Sequence, residues 1–133
     1  MTAAQDGTVR LLLVEDEAMN RVLLREAIRR ATDARLRAIQ VHEVGDLATA
    51  RAVLREGTVD VVILDIRLPD GSGLDLAREV ATLSDDERPK VVIMSASVLP
   101  TERDAAIAAG CDAFMAKPFR MADLYETLTR LLE

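Results

Sequence analysis

The chain is predicted to be an α/β domain, a five-stranded parallel sheet with helices on both faces, and three observations predict it. Short apolar runs of strand length alternate along the whole chain with segments of helical period. The run Val61-Val62-Ile63-Leu64 is apolar at every position and rich in β-branched residues, which suits a strand covered on both faces. The runs also end in polar residues, Glu15-Asp16, Asp65, Ser95 and Lys117, and a doubly wound sheet keeps its ligand crevice beyond the carboxyl ends of its strands.

The elements follow in order. Residues 10–14 are the first strand, and Glu15, Asp16 and Glu17 come after it. Met19, Val22, Leu23, Ala27 and Ile28 recur at i, i+3 and i+4 and are expected to be the buried face of the first helix. Residues 36–44 contain a weaker strand that alternates at Ile39, Val41 and Val44. Asp46 reads as the N-cap of a second helix whose stripe is Leu47, Ala50, Val53 and Leu54 and which ends near Gly57. Beyond the central strand, Leu74, Ala77, Val80 and Leu83 mark the third helix. Residues 84–89 are a polar loop, because Pro89 follows the Ser84-x-x-Glu87 pattern too soon for a helix. Residues 91–94 are the fourth strand, and Thr101 with Asp104 is expected to form the capping box of a short alanine-rich helix stopped by Gly110. Residues 113–116 are the fifth strand, and Leu124, Leu128 and Leu131 or Leu132 make the stripe of a last helix over 121–132.

At 133 residues one domain is expected, residues 9–133, behind a disordered tail at 1–8. Half of the residues are apolar and 2% are aromatic, so the core must be built from Leu, Val, Ile, Ala and Met. A single cysteine, Cys111, excludes an internal disulfide. No apolar run approaches the roughly 20 residues of a membrane span, and the first residues lack the basic and apolar regions of a secretory signal. A cytoplasmic protein that binds no membrane is expected. A net charge of -6 argues against direct nucleic-acid binding, and the arginines between 21 and 37 read as a solvated helix face.

If strands one and three are neighbours, Glu15, Asp16 and Asp65 converge at one edge of the sheet. Carboxylates that close repel, so either their pKa values rise or a cation enters. Mg²⁺ suits them, since it takes a few acids and a loop carbonyl and keeps its remaining waters. Lys117 ends the fifth strand, biased toward extended backbone by Pro118, and Ser95 ends the fourth with a hydroxyl. Acids, a cation site, a lysine and a hydroxyl at one crevice describe phosphoryl transfer, with Asp65 the candidate nucleophile.

These residues, with Leu68-Pro69 and Gly71 behind Asp65, Ala96 behind Ser95 and Pro118-Phe119 behind Lys117, stand in the order and spacing of a known family. Over roughly residues 9–132 the chain resembles the CheY-like receiver domains of two-component response regulators. The resemblance implies a flavodoxin-like strand order, 2-1-3-4-5. It implies that Asp65 accepts a phosphoryl group from a histidine kinase or a histidine phosphotransfer protein. Asp16 and Asp65 would bind Mg²⁺, Glu15 through water, with the Arg67 backbone carbonyl a further ligand and Mn²⁺ an acceptable substitute. Ser95 would hydrogen-bond the phosphoryl group and Lys117 would pair with it. Phe114 holds the family's aromatic switch position and would turn inward as Ser95 moves. The face of the fourth helix, fifth strand and fifth helix would then change its downstream protein partner.

Arg67 and Ser97, two residues beyond Asp65 and Ser95, would tune the phosphoryl lifetime. Glu15, Ser95 and Phe114 replace the commoner Asp, Thr and Tyr of the family, and Phe114, having no hydroxyl, would signal through packing. Met19, Asn20 and Leu23 on the first helix would select the phosphodonor. Catalysis would be limited to slow self-dephosphorylation, in a monomer or a phosphorylation-dependent dimer, either stand-alone or as the receiver of a hybrid kinase or longer regulator. Two alternatives compete: a pseudo-receiver that binds partners without phosphorylation, and a Mg²⁺-dependent phosphohydrolase of haloacid-dehalogenase type. The latter needs a second Asp where this chain has Arg67. His42 reads as a structural or surface residue and Cys111 as a small, partly buried one. Tyr125 is expected either on the partner face or packed against the fourth helix.

Overall fold

The computed structural model describes residues 7–96 and 99–133. In chain order its main elements are β1 (Arg10–Val14), α1 (Ala18–Arg29), β2 (Gln40–Val44), α2 (Leu47–Arg55), β3 (Val61–Asp65), α3 (Gly73–Ala81), β4 (Lys90–Ser95), α4 (Pro100–Ala108), β5 (Ala113–Ala116) and α5 (Met121–Leu131). The five strands pair in parallel in the order β2-β1-β3-β4-β5, as the family resemblance implied. Two small elements were not expected. A helical turn at Ala34–Arg37, capped by Asp33 accepting from the Arg35 amide, precedes β2. A two-residue antiparallel ladder, Arg67–Leu68 with Gly71–Ser72, ties the loop after β3.

The pleat divides the core. Leu11, Leu13, Val61, Ile63, Val92 and Met94 face Leu24, Ala27 and Ile28 of α1 and Leu124 and Leu128 of α5. Leu12, Val14, Val62, Leu64, Val91 and Ile93 face α2, α3 and α4. Both faces are covered, which is why these strands carry apolar residues at every position.

Several expectations need correction. On α1 the buried stripe is Leu24, Ala27 and Ile28, while Met19, Val22 and Leu23 are 66%, 39% and 55% exposed. Val22-Leu23-Leu24 offers two adjacent stripes at helical spacing, and the sheet takes the one through Leu24. On α3 the sheet takes Leu76 with Ala77 and Val80, leaving Leu74 half-buried and Leu83 beyond the helix end. The Thr101–Asp104 capping box does not form, because α4 starts earlier: Leu99 is the cap and Pro100 the first residue, where a missing N–H costs nothing. Tyr125 lies neither on the partner face nor against α4. Its hydroxyl donates to the Ala27 carbonyl at 2.6 Å, at the end of α1 where the Ala31 amide has turned to Ile28.

Other expectations hold. Asp46 caps α2 by accepting from the Thr49 amide at 2.7 Å. His42 is exposed on β2, an edge strand. Cys111 is half-buried, and burial pushes its thiol pKa up. No helix among the described residues is long and apolar enough to cross a membrane. Residues 1–6 of the expected tail, and Ser97, lie outside the described residues.

Candidate functional site

Strand register places the acids. Val14 of β1 pairs with Leu64 of β3, so the next residues, Glu15 and Asp65, arrive at one level, and the ladder continues beyond β1 through the Glu15 amide to the Val44 carbonyl at 3.0 Å. At the other side of β3 the ladder also runs past the strand, through the Lys117 amide to the Ser95 carbonyl at 2.8 Å. Glu15, Asp65, Ser95 and Lys117 are therefore tied by the sheet itself, while Asp16 follows in the bend after β1.

Alternation then sorts their side chains. Asp65 follows Val61 and Ile63 toward α1 and α5, whereas Ser95 follows Val91 and Ile93 toward α4. Phe114, half-buried, also packs on the α4 side, with the cluster that holds Ala106 and Ala109.

Lys117 reaches across the carboxylates. Its Nζ donates to Glu15 Oε2 at 2.8 Å and to Asp65 Oδ2 at 2.5 Å. Burial disfavours the ammonium, but the hydrogen bonds and charges of Asp65 and Glu15 together outweigh it and hold the pKa above the usual lysine value. Glu15 is fully buried, and its Oε1 accepts from the Glu17 amide at 3.3 Å and from Asn20 Nδ2 at 3.2 Å. The Arg21 guanidinium fixes the same loop by donating to the Glu15 carbonyl at 2.6 Å. Asp65 is 8% exposed and accepts the Arg67 amide on Oδ1 at 3.2 Å. Arg67 itself is exposed, as is Asp16.

One carboxylate oxygen each from Glu15, Asp16 and Asp65 lie within 4.8 Å of one another. A Mg²⁺ ion with oxygens at about 2.0–2.1 Å holds opposite ligands about 4 Å apart, so the donor set fits such an ion with little movement. Charge agrees with distance. Three carboxylates against the single Lys117 ammonium leave the excess of negative charge that a divalent cation cancels.

Sequence reasoning overlooked four supporting residues. Asn20, expected to bear on donor choice, also donates to Glu15. Arg21, expected on a solvated face, is half-buried and donates to the Glu15 carbonyl. Asp70 accepts from the Leu47 and Ala48 amides at 2.9 and 3.1 Å, fastening the loop after Asp65 to the start of α2, and these bonds hold its carboxyl below the usual range. Glu102 accepts the Ser95 hydroxyl at 2.8 Å. Only Asp70 left a sequence signal, a turn acid before glycine. Beside the site, between α1 and the segment after β5, lies a groove of about 490 Å³ lined by Leu23, Leu24, Ala27, Phe119 and Met121, with Lys117 at its edge.

The family model for the response regulator receiver domain matches residues 11–129. The chain is 33% identical over 110 residues to the two-component response regulator ORR41 of Oryza sativa subsp. japonica, covering 83% of this chain and 84% of that protein. It is 31% identical to the sensory/regulatory protein RpfC of Xanthomonas campestris pv. campestris, covering 96% of this chain and 17% of that one. Among solved structures, the receiver domain of the sensor histidine kinase PA1611 from Pseudomonas aeruginosa PAO1 superposes with a TM-score of 0.79 at 27% identity, over 93% of this chain and 97% of that one. That domain carries a magnesium ion coordinated in its active site cleft. A response regulator structure from Chloroflexus aurantiacus J-10-fl shares the fold, with a TM-score of 0.83 at 21% identity over 94% of this chain and 98% of that one.

Proposed function

The chain belongs to the response regulator receiver domain family, and from that premise we propose that Asp65 accepts a phosphoryl group from the phosphohistidine of a histidine kinase or histidine phosphotransfer protein. The observation that carries this reading is the Lys117 bridge: an ammonium joined to both Glu15 and Asp65, beside Asp16, with negative charge still in excess.

In the transfer, an Asp65 carboxylate oxygen attacks phosphorus and the phosphorus–nitrogen bond to the donor imidazole breaks. The imidazole nitrogen keeps the bonding pair and takes a proton from solvent water. Asp16, Asp65 and the Arg67 carbonyl, with Glu15 through water, would hold Mg²⁺, which would supply neutralisation of the phosphoryl oxygens. Lys117 is already within hydrogen-bond distance of Asp65 Oδ2, so it pairs with the incoming group without a search. Ser95 donates its hydroxyl to the same group, and Phe114 repacks on the α4 side as it does. Output is then a population shift of the α4-β5-α5 face toward a downstream protein, limited by how much more the phosphoryl group stabilises the active conformer.

Exposed Leu23, lining the groove beside Lys117, and exposed Met19 on the same helix form the apolar surface on which the donor docks, in the cytoplasm. Arg67, exposed next to Asp65, governs access of the hydrolytic water. Its replacement by Ala changes adduct decay and leaves adduct formation intact.

The test is intact mass after incubation with acetyl phosphate, with and without Mg²⁺, for wild type and Asp65→Asn. One Mg²⁺-dependent phosphoryl adduct on the wild type alone is expected. A folded wild type that forms none overturns the reading and leaves a constitutive binding module.

A further inference from the structure

We propose that Glu102, on α4, is a positioning residue that holds the Ser95 hydroxyl away from the Asp65 side of the sheet, so that phosphorylation must compete with the Glu102 carboxylate for one proton. This rests on the reading of Asp65 as phosphoryl acceptor and adds to it a residue that sets how strongly the unmodified conformer resists.

Three features lead there. Ser95 is 2% exposed, and its Oγ donates to Glu102 Oε1 at 2.8 Å. A hydroxyl has a single proton, so while Glu102 accepts it the same proton cannot reach a phosphoryl oxygen. The pleat also sets Ser95 on the α4 face, opposite in sense to Asp65, Glu15 and Lys117, so movement toward a modified Asp65 begins by leaving Glu102. Finally, Glu102 is half-buried in the first turn of α4, where a helix N-terminus favours the ionised carboxylate, and an ionised acceptor holds a hydroxyl more strongly than a neutral one. The contact is thus a charged acceptor on a nearly buried donor, placed where the donor must depart for the phosphorylated state.

The rival account is that Glu102 merely adds negative charge near an anion-binding site. A double-mutant cycle separates the two. Binding of beryllium fluoride, which becomes a tetrahedral mimic of the aspartyl phosphoryl group on joining a carboxylate oxygen, is measured by ¹⁹F NMR in excess Mg²⁺ for wild type, Glu102→Ala, Ser95→Ala and the double variant. Thermal melts establish that each is folded. Releasing a charge-assisted hydrogen bond corresponds to roughly tenfold or more in an equilibrium, so Glu102→Ala is expected to bind about tenfold more tightly. Glu102→Gln, which keeps an oxygen but loses the charge, falls between. In the Ser95→Ala background the Glu102 substitution should change affinity by less than about twofold. An equal gain with and without the Ser95 hydroxyl, or no gain at all, overturns the proposal while leaving Asp65 as acceptor. A folded wild type that binds no beryllium fluoride overturns the acceptor reading, and this one with it.

Discussion

Gly73→Ala should be among the most damaging small substitutions in the chain. Gly73 opens α3 directly above the end of β3, its amide donating to the Ile66 carbonyl at 2.7 Å. A Cβ there would lie 2.1 Å from the Asp65 carbonyl oxygen and 2.3 Å from Leu64 Cδ1. An ordinary carbon–oxygen approach is about 3.3 Å, so the backbone of Asp65 or of the helix start must yield by about 1 Å. Strain of that kind costs roughly 3 kcal/mol, and the stiffer unfolded chain returns about 0.4–1 kcal/mol. For a domain of this size the net loss lowers the melting temperature by about 10 °C. Because the oxygen displaced belongs to Asp65, phosphoryl adduct formation should slow as well. Gly71→Ala is the control: there φ is +148° and the nearest atom, Leu47 Cδ1 at 3.0 Å, is the movable end of a side chain. It should cost stability through backbone strain yet leave adduct formation near wild type. Melting by circular dichroism and adduct formation by mass read both effects. A Gly73→Ala protein that melts within about 2 °C of wild type would refute the reasoning.

Lys117→Met should cost roughly 3 kcal/mol in a divalent-free buffer, because two buried carboxylates lose the charge between them; millimolar Mg²⁺ should restore part of it, and urea titrations with and without the ion read the difference. Asp60 is buried, with Oδ2 on the Arg10 amide at 2.9 Å and no hydrogen-bond partner on Oδ1 among the described residues, and burial raises its pKa. A raised acid binds its proton better when folded, so it weighs more against folding as pH climbs above about 4 through the raised value. The stability of Asp60→Asn relative to wild type should therefore grow over that window and then level off, and a pH-independent difference in denaturant unfolding would contradict it. Tyr125→Phe should cost about 1 kcal/mol and speed hydrogen exchange at the carboxyl end of α1, where Ala27 loses its acceptor role.

Much of the frame was legible because strands buried on both faces leave an uninterrupted signature. β3 and its terminal Asp65 need no partner to be recognised, and the same holds for β4 and Ser95. What stayed hidden depends on which neighbour arrives. The consecutive Val22, Leu23 and Leu24 satisfy two helical stripes equally, and only the docked sheet decides between them. Thr101 and Asp104 had the right spacing for a cap, but spacing cannot show that Pro100 already begins the helix. Asp70 and Asp112 look like ordinary loop acids, yet one serves the start of α2 and the other accepts the Val91 amide at 2.8 Å. The Glu102–Ser95 bond likewise requires knowing which way the strand end faces. Local pattern carries the elements and their terminal residues; contacts between elements carry the side-chain network around them.

The shared level of Glu15 and Asp65 makes the sheet a ruler for the ion site. Adjacent strands lie about 4.8 Å apart whatever their sequence, and that spacing is already close to the span between opposite oxygens on a small hard cation. A slip of one residue between β1 and β3 would lift one acid by about 3.3 Å and turn it to the opposite side, removing the gap and the lysine bridge together. Interchangeable loop segments can therefore be grafted around these strand ends without recalibrating the distance between the acids. A change in pairing, by contrast, erases the site in a single step.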